Sequence, residues 1–272
     1  MADPIGIFDS GVGGLSVLKA IRQQIPAQPV IYLADQVHVP YGARSLEEVR
    51  SFSEEITRYL LSQGACLIVV ACNTASAASL HYLRQTFPQV PFVGMEPAVK
   101  PAAELTQSGV VGVLATPATF QGELYASVVE RFANAILLLQ DTCPGLVKEI
   151  ELGHLTTPQT RGILKRALQP MLAQGIDTVV LGCTHYPFVI PMIQEIVGAR
   201  VRVIDPAPAV ARQASRLLQG KGLGASPNGE FGSIRFLTSG NPAALAGLLP
   251  LLLGESGTVE EVKWVDGEIM KK

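Results

Sequence analysis

The sequence predicts an α/β protein of two pseudo-symmetric open units, with mostly parallel sheets and a site in the cleft between them. Two observations predict it. Short apolar runs alternate with amphipathic helical stretches along most of the chain. The order of those runs also repeats: Gly6 answers Gly112 in the opening strands, Cys72 answers Cys183 at strand ends, and Glu96-Pro97-Ala98 answers Asp205-Pro206-Ala207. Matches of strand order, cysteine position and an acidic-Pro-Ala ending together read as an internal duplication.

The elements follow in order. Ile5 to Phe8 is an apolar strand running into Asp9-Ser10-Gly11-Val12-Gly13-Gly14 and then a helix from Leu15 to Ile21. The glycines allow a tight turn with N–H groups free to meet a small anion such as a carboxylate. The spacing is not that of a dinucleotide fingerprint. Val30 to Ala34 is a strand ending at Asp35. Ser45 to Gln63 is a helix with Ser45 and Glu48 as a capping box, closed by Gly64. Cys66 to Ala71 is a strand, Thr74 to Phe87 a helix, Pro91 to Gly94 a strand and Val99 to Gln107 a helix. The pattern then restarts. Gly109 to Leu114 is a strand ending at Thr116, Phe120 to Phe132 a helix, and Ala135 to Leu139 a strand before Cys143-Pro144. After Leu146 to Leu152 comes a helix from Thr157 to Gln174, with Pro158 in its first turn. Asp177 to Leu181 is a strand ending at Cys183, Phe188 to Val197 a helix, and Val201 to Ile204 a strand. The remainder is a helix from Val210 to Gln219, a Gly-rich loop over 220–232, a strand from Ser233 to Leu237, a helix from Pro242 to Leu253 and a last strand near Val259 to Val265. It is too short for a third domain and should complete one of the two sheets.

Composition removes several function classes. With 272 residues, 48% apolar and 16% charged, the chain can bury a large core. A net charge of −2 without basic blocks argues against nucleic acid as a partner. No apolar run is long enough to span a membrane, and no secretory signal is expected at the N-terminus. The four cysteines, Cys66, Cys72, Cys143 and Cys183, are scattered, so free thiols in a cytoplasmic protein are expected. No CxxC or HExxH pairing suggests a metal site.

Ligands of open α/β sheets bind beyond the carboxyl ends of strands. Asp9, Cys72, Thr116 and Cys183 all stand at such ends. Most free cysteines are small apolar fillers, and that reading is kept for Cys66 and Cys143. Cys72 and Cys183 differ: they hold the same place in a repeat, precede polar residues, and stand where a helix N-terminus can lower a thiol pKa. Two thiols on opposite sides of a pocket suit one chemistry. One removes a proton from carbon and the other delivers a proton to the opposite face, inverting a stereocentre without a cofactor.

The stretches Ile7-Phe8-Asp9-Ser10-Gly11-Val12-Gly13-Gly14, Pro40-Tyr41-Gly42, Ala71-Cys72-Asn73-Thr74-Ala75-Ser76 and Gly182-Cys183-Thr184-His185-Tyr186-Pro187 closely resemble glutamate racemase, in order and spacing, over nearly the whole chain. The resemblance implies two domains, 1–97 plus 208–272 and 98–207, with the site between them. It implies that Cys72 deprotonates D-glutamate and Cys183 L-glutamate, with Asp9 beside Cys72, His185 beside Cys183, and Glu151 assisting on the His185 side. Asp9, Ser10, Asn73, Thr74, Thr184 and His185 would bind the amino-acid head, with Tyr41, Gly42, Thr116 and Thr119 helping to hold it. The plainer alternatives are an N-cap role for Asp9, a satisfied helix-start histidine for His185 and a solvated helix face for Glu151. Further implications are no cofactor, a homodimer, and a product used for peptidoglycan synthesis. An N-terminal extension of the kind with which some relatives bind a DNA topoisomerase is not expected, and neither is that side activity. The chain departs from the usual pattern at Asp35-Gln36-Val37-His38, where small polar residues are common, and at Gly145 and Lys148. Two rivals stay open: an aspartate or other amino-acid racemase of the same superfamily, and a two-lobed carboxylate-binding protein without catalysis.

Overall fold

The computed structural model describes residues 2–225 and 231–271; part of the expected Gly-rich loop, residues 226–230, lies outside them. The first half runs β1 (Ile5–Asp9), α1 (Leu15–Gln24), β2 (Val30–Ala34), α2 (Leu46–Ser62), β3 (Leu67–Val70), α3 (Asn73–Thr86) and β4 (Phe92–Gly94). It continues through α4 (Val99–Leu105), β5 (Val110–Ala115), α5 (Pro117–Gln121), α6 (Glu123–Phe132), β6 (Leu137–Asp141), α7 (Leu146–Glu151), α8 (Pro158–Ala173), β7 (Thr178–Gly182), α9 (Ile190–Val197) and β8 (Arg202–Ile204). The chain ends with α10 (Ala207–Lys221), β9 (Ile234–Thr238), α11 (Pro242–Leu252), β10 (Val259–Val265) and β11 (Glu268–Lys271).

The duplication is visible in the topology. One sheet has the order β11-β10-β9-β2-β1-β3-β4 and the other β6-β5-β7-β8. The strands β2-β1-β3-β4 and β6-β5-β7-β8 therefore repeat one arrangement, and every pairing within these two sets is parallel. The C-terminal strands extend the first sheet beyond β2, as expected for the tail. Helix α10 packs on α1, bringing the chain back to that sheet.

Burial explains why these runs form strands. All positions of β1, β2, β3 and β7 are buried, the mark of parallel strands covered on both faces. One apolar core cluster is continuous from Ile5, Leu15 and Leu18 through Leu114 and Leu181 to Ile163 and Leu168, so it joins both sheets. Each fully buried Leu or Ile in it stabilises the fold by about 1.5–3 kcal/mol. Local signals also act as read: Ser45 Oγ accepts from the Glu48 N–H at 3.2 Å while Glu48 Oε2 accepts from the Ser45 N–H at 3.0 Å, closing the capping box of α2.

Four expectations are corrected. The helix expected over 120–132 is two helices, because Gly122 between them takes extended backbone, φ −72° and ψ 141°. The helix expected from Phe188 begins at Ile190, after a 3-10 turn over Tyr186–Val189. The strand expected over 135–139 runs instead over Leu137–Asp141. Finally, β11 was not expected at all; it pairs antiparallel with β10 across Asp266-Gly267, both with positive φ. An Asp-Gly turn is a hairpin signal, but the strand after it buries only Ile269 and offers little pattern.

Candidate active site

The carboxyl ends of both sheets face one another, and the two repeated cysteines meet there. Cys72 follows β3 and is the N-cap of α3, its Sγ accepting from the Ala75 N–H at 3.4 Å. Cys183 follows β7, with its Sγ 3.7 Å from His185 Nδ1. Both are buried free thiols. The expectation that a helix N-terminus lowers the Cys72 pKa is overturned. Burial pushes its thiol well above the ordinary cysteine range and the neighbouring Asp9 pushes it further, while the Ala75 and Thr74 N–H groups offset only part. Cys183 precedes a 3-10 turn rather than the start of an α-helix, so a helix dipole does not serve it either.

Behind Cys183 stands an ion pair. His185 Nε2 lies 2.5 Å from Glu151 Oε1, at the C-terminal end of α7. Burial by itself would lower the His185 pKa, but Cys183 and Glu151 override it and hold the imidazole well above its ordinary range. Burial would likewise raise Glu151; His185, the Val12 N–H and Gln36 instead hold its carboxyl below the ordinary range. The Val12 N–H donates to Glu151 Oε1 at 2.8 Å and Gln36 Nε2 donates to Oε2 at 3.2 Å. The anion met by the Gly-rich turn is thus a carboxylate of the protein itself. The turn needs glycines because the second half presses against it. A Cβ on Gly11 would collide with the Glu151 carboxylate, and one on Gly13 would lie 2.5 Å from His185 Nδ1 and 2.6 Å from Thr184 Oγ1.

Asp9 is fully buried and does not cap α1, whose N-cap is Gly14 without a side-chain bond. Its Oδ1 accepts from the Gly11 N–H at 3.0 Å and its Oδ2 from Thr184 Oγ1 at 2.9 Å, tying the first sheet to the segment that carries Cys183. Burial raises its pKa, and His185 opposes that rise.

A pocket of about 20 Å³ lies between these groups, room for roughly one water. Cys72, Cys183, Ser10, Thr184 and His185 line it, with Asn73, Thr74, Tyr41, Gly42 and Thr116. The hydroxyls of Thr74 and Thr116 are 2.8 Å apart, and Thr119 Oγ1 lies 2.9 Å from Thr116 Oγ1, so three threonines bridge the two halves. Both polar atoms of the buried Asn73 amide lack a protein partner. Tyr41 is held from behind: its hydroxyl donates to Asp35 Oδ2 at 2.6 Å, and Asp35 Oδ1 accepts from Ser239 Oγ and Trp264 Nε1, each at 2.8 Å. Among the described residues no three His, Cys, Asp or Glu side chains cluster as metal ligands, and no helix is long and apolar enough to cross a membrane.

Residues 5–214 match the model of the Asp/Glu/hydantoin racemase family. A glutamate racemase from Pseudomonas aeruginosa (strain PAO1) is 50% identical over 255 residues, covering 94% of this chain and 96% of that protein. The chain belongs to the glutamate racemase family. Solved glutamate racemases share its fold: one from Bacillus anthracis superposes with a TM-score of 0.85 at 32% identity over 98% of both chains. One from Escherichia coli, in complex with L-glutamate and an activator, does so with a TM-score of 0.84 at 33% identity over 98% of this chain and 99% of that chain. The chain is accordingly an amino-acid racemase.

Of the residues expected from sequence, ten reach the pocket wall: Ser10, Tyr41, Gly42, Cys72, Asn73, Thr74, Thr116, Cys183, Thr184 and His185. Asp9, Thr119 and Glu151 do not line it. They stand one layer back, bonded to Thr184, Thr116 and His185 respectively. Sequence reasoning missed Pro40 and Val147, which also line the pocket. Pro40 belonged to a quoted motif without being read as a site residue; Val147, inside the short mixed helix α7, carried no signal. It also missed Asp35, Ser239 and Trp264, which are drawn together from distant parts of the chain.

Proposed function

We propose that this chain interconverts L- and D-glutamate without a cofactor, by proton transfer between Cys183 and Cys72. The observation that carries the reading is the pair of thiols at matched strand ends of the two sheets, both on one small pocket. Solved relatives in complex with L-glutamate and with D-glutamate support the substrate.

The His185–Glu151 ion pair sets an imidazolium 3.7 Å from the Cys183 sulfur. Cys183, acting as a thiolate, takes the α-proton of L-glutamate. The electron pair stays on the α-carbon and is shared with the adjoining carboxyl group. Cys72 is held as a thiol by burial and by Asp9, which suits it to deliver its proton to the opposite face. D-glutamate leaves a thiol at Cys183 and a thiolate at Cys72, and the reverse reaction restores the starting state. The unpartnered Asn73 amide supplies donors and an acceptor for the amino-acid head. Ser10, Thr74, Thr116, Thr184 and the Tyr41-Gly42 turn supply short polar groups around it; Asp9, Thr119 and Glu151 act as their supports. Residues 1–97 plus 208–272 form one domain and 98–207 the other. The product serves peptidoglycan precursor synthesis in the cytoplasm.

Incubation with L-glutamate in D2O tests the reading. The expected result is deuterium at the α-carbon together with D-glutamate, read by NMR and a chiral assay. Binding without exchange would leave a two-lobed carboxylate-binding protein. Faster turnover of aspartate than of glutamate would move the substrate assignment to the other racemases of the superfamily.

A further inference from the structure

Glu151 serves His185 with one oxygen, and something must fix the rotation of its carboxylate. Oε1 is occupied by His185 and the Val12 N–H; Oε2 accepts from Gln36 Nε2 at 3.2 Å. Gln36 follows β2 in the first sheet, in the stretch that departs from the usual family pattern. Its amide orientation is determined at both ends. An ionised carboxylate only accepts, so the NH2 group must face Glu151. At the other end Gln36 Oε1 accepts from Thr238 Oγ1 at 2.9 Å, and that hydroxyl oxygen itself accepts from the Gly240 N–H at 3.0 Å. The loop after β9 also braces the Gln36 stem: a Cβ on Gly240 would come within 2.8 Å of Gln36 Cβ. A directed chain therefore runs Gly240, Thr238, Gln36, Glu151, His185, Cys183, from the C-terminal strands of the first sheet into the second half of the site.

We infer that Gln36, anchored by Thr238, is a positioning residue that holds the Glu151 carboxylate in the orientation serving His185 and, through it, Cys183. The kinetic consequence rests on the racemase reading above; the positioning itself does not. The charged and titratable groups facing His185 are Glu151 from α7, Cys183 on its own segment and Asp9 from β1. Gln36 touches only the first of these.

Gln36→Met keeps the length and removes the amide. The expected result is a fall in kcat/KM of about tenfold, the usual effect of losing one bond to a charged group. It is equal for both enantiomers because the equilibrium constant of a racemisation is one. The alkaline limb of the pH profile moves to lower pH, as His185 loses part of what holds it protonated. The same change is read without turnover: the NMR titration of the His185 imidazole shifts to lower pH. Thr238→Val should lower kcat/KM about threefold, and the double variant should be no worse than Gln36→Met alone, since both act through one chain. Wild-type kcat/KM and an unshifted His185 titration in Gln36→Met would overturn the assignment. So would lost activity with an unshifted titration, which is general damage, and so would independent, multiplying losses in the double variant. If the wild-type protein does not exchange the α-proton of glutamate, the functional reading fails, while the His185 titration still decides the role of Gln36.

Discussion

The Cys72 and Cys183 sides of the pocket have the same topology and opposite chemistry. Each thiol follows the third strand of a repeated unit. At Cys72 the neighbours are a helix N–H and a buried carboxylate, Asp9, and the thiol is driven toward its neutral form. At Cys183 the neighbour is an imidazole held by Glu151. Duplication supplied position; side chains that differ between the two units, Asp9 in the first and Glu151 and His185 in the second, supplied the charge. A reaction that needs a base on one face and an acid on the other at the same moment requires such a difference, and a perfect copy could not provide it.

The largest effect that can break this comparison comes from the thiols themselves. Cys72→Ala and Cys183→Ala should each lower racemisation of both enantiomers by roughly 10³-fold or more. Slow α-proton exchange in D2O should survive for L-glutamate alone in Cys72→Ala and for D-glutamate alone in Cys183→Ala. Exchange of the wrong enantiomer, followed by NMR, would reverse the two assignments.

A smaller effect tests how tightly the halves are pressed together on the His185 side. Gly13→Ala puts a Cβ 2.5 Å from His185 Nδ1, which must move. Overpacking of this kind costs about 1–3 kcal/mol, or roughly 2–10 °C in Tm, with at least a tenfold loss of kcat/KM. Calorimetry and rate measurement together check it; wild-type values for both would mean that the contact is slack.

The smallest effect is a pH dependence confined to the Cys183 side. His185 is held above its ordinary 6.5, so its contribution to stability is full below that pH and fades as pH rises through the folded value. Glu151 is held below its ordinary 4.5, so its contribution is full above that pH and is lost as pH falls through the folded value. The ion pair is therefore most stabilising between these ordinary values. The Tm gap between wild type and Glu151→Gln should be widest near pH 5–6 and narrow above and below, by on the order of 2 °C if the pair is worth about 1 kcal/mol. A gap unchanged from pH 5 to 9 would remove the pair from the account of this side.

Much of this was legible because it is local. The capping box at Ser45 and Glu48, the apolar runs of β1, β3 and β7, and the polar residues after each cysteine are neighbours in sequence. The Asp266-Gly267 hairpin is local too, but the weak strand after it hid the signal and it was not expected. Asp9 was placed at the right strand end, yet its bond is to Thr184 on the far side of the pocket. Gln36 looked like a departure from pattern, with nothing to show that it meets Glu151 and Thr238. The node at Asp35 joins Tyr41, Ser239 and Trp264, which no periodicity connects.

By itself, then, the sequence determined the α/β repeat, the strand ends and the two cysteines set on them, because strand and helix periods are written in neighbouring residues. Only the tertiary structure decided that the Cys72 thiol is pushed up rather than down, that His185 and Glu151 are charged, and that the glycine turn receives the protein's own carboxylate. Those outcomes depend on burial and on distances of a few ångströms between residues far apart in the chain, which the fold alone sets.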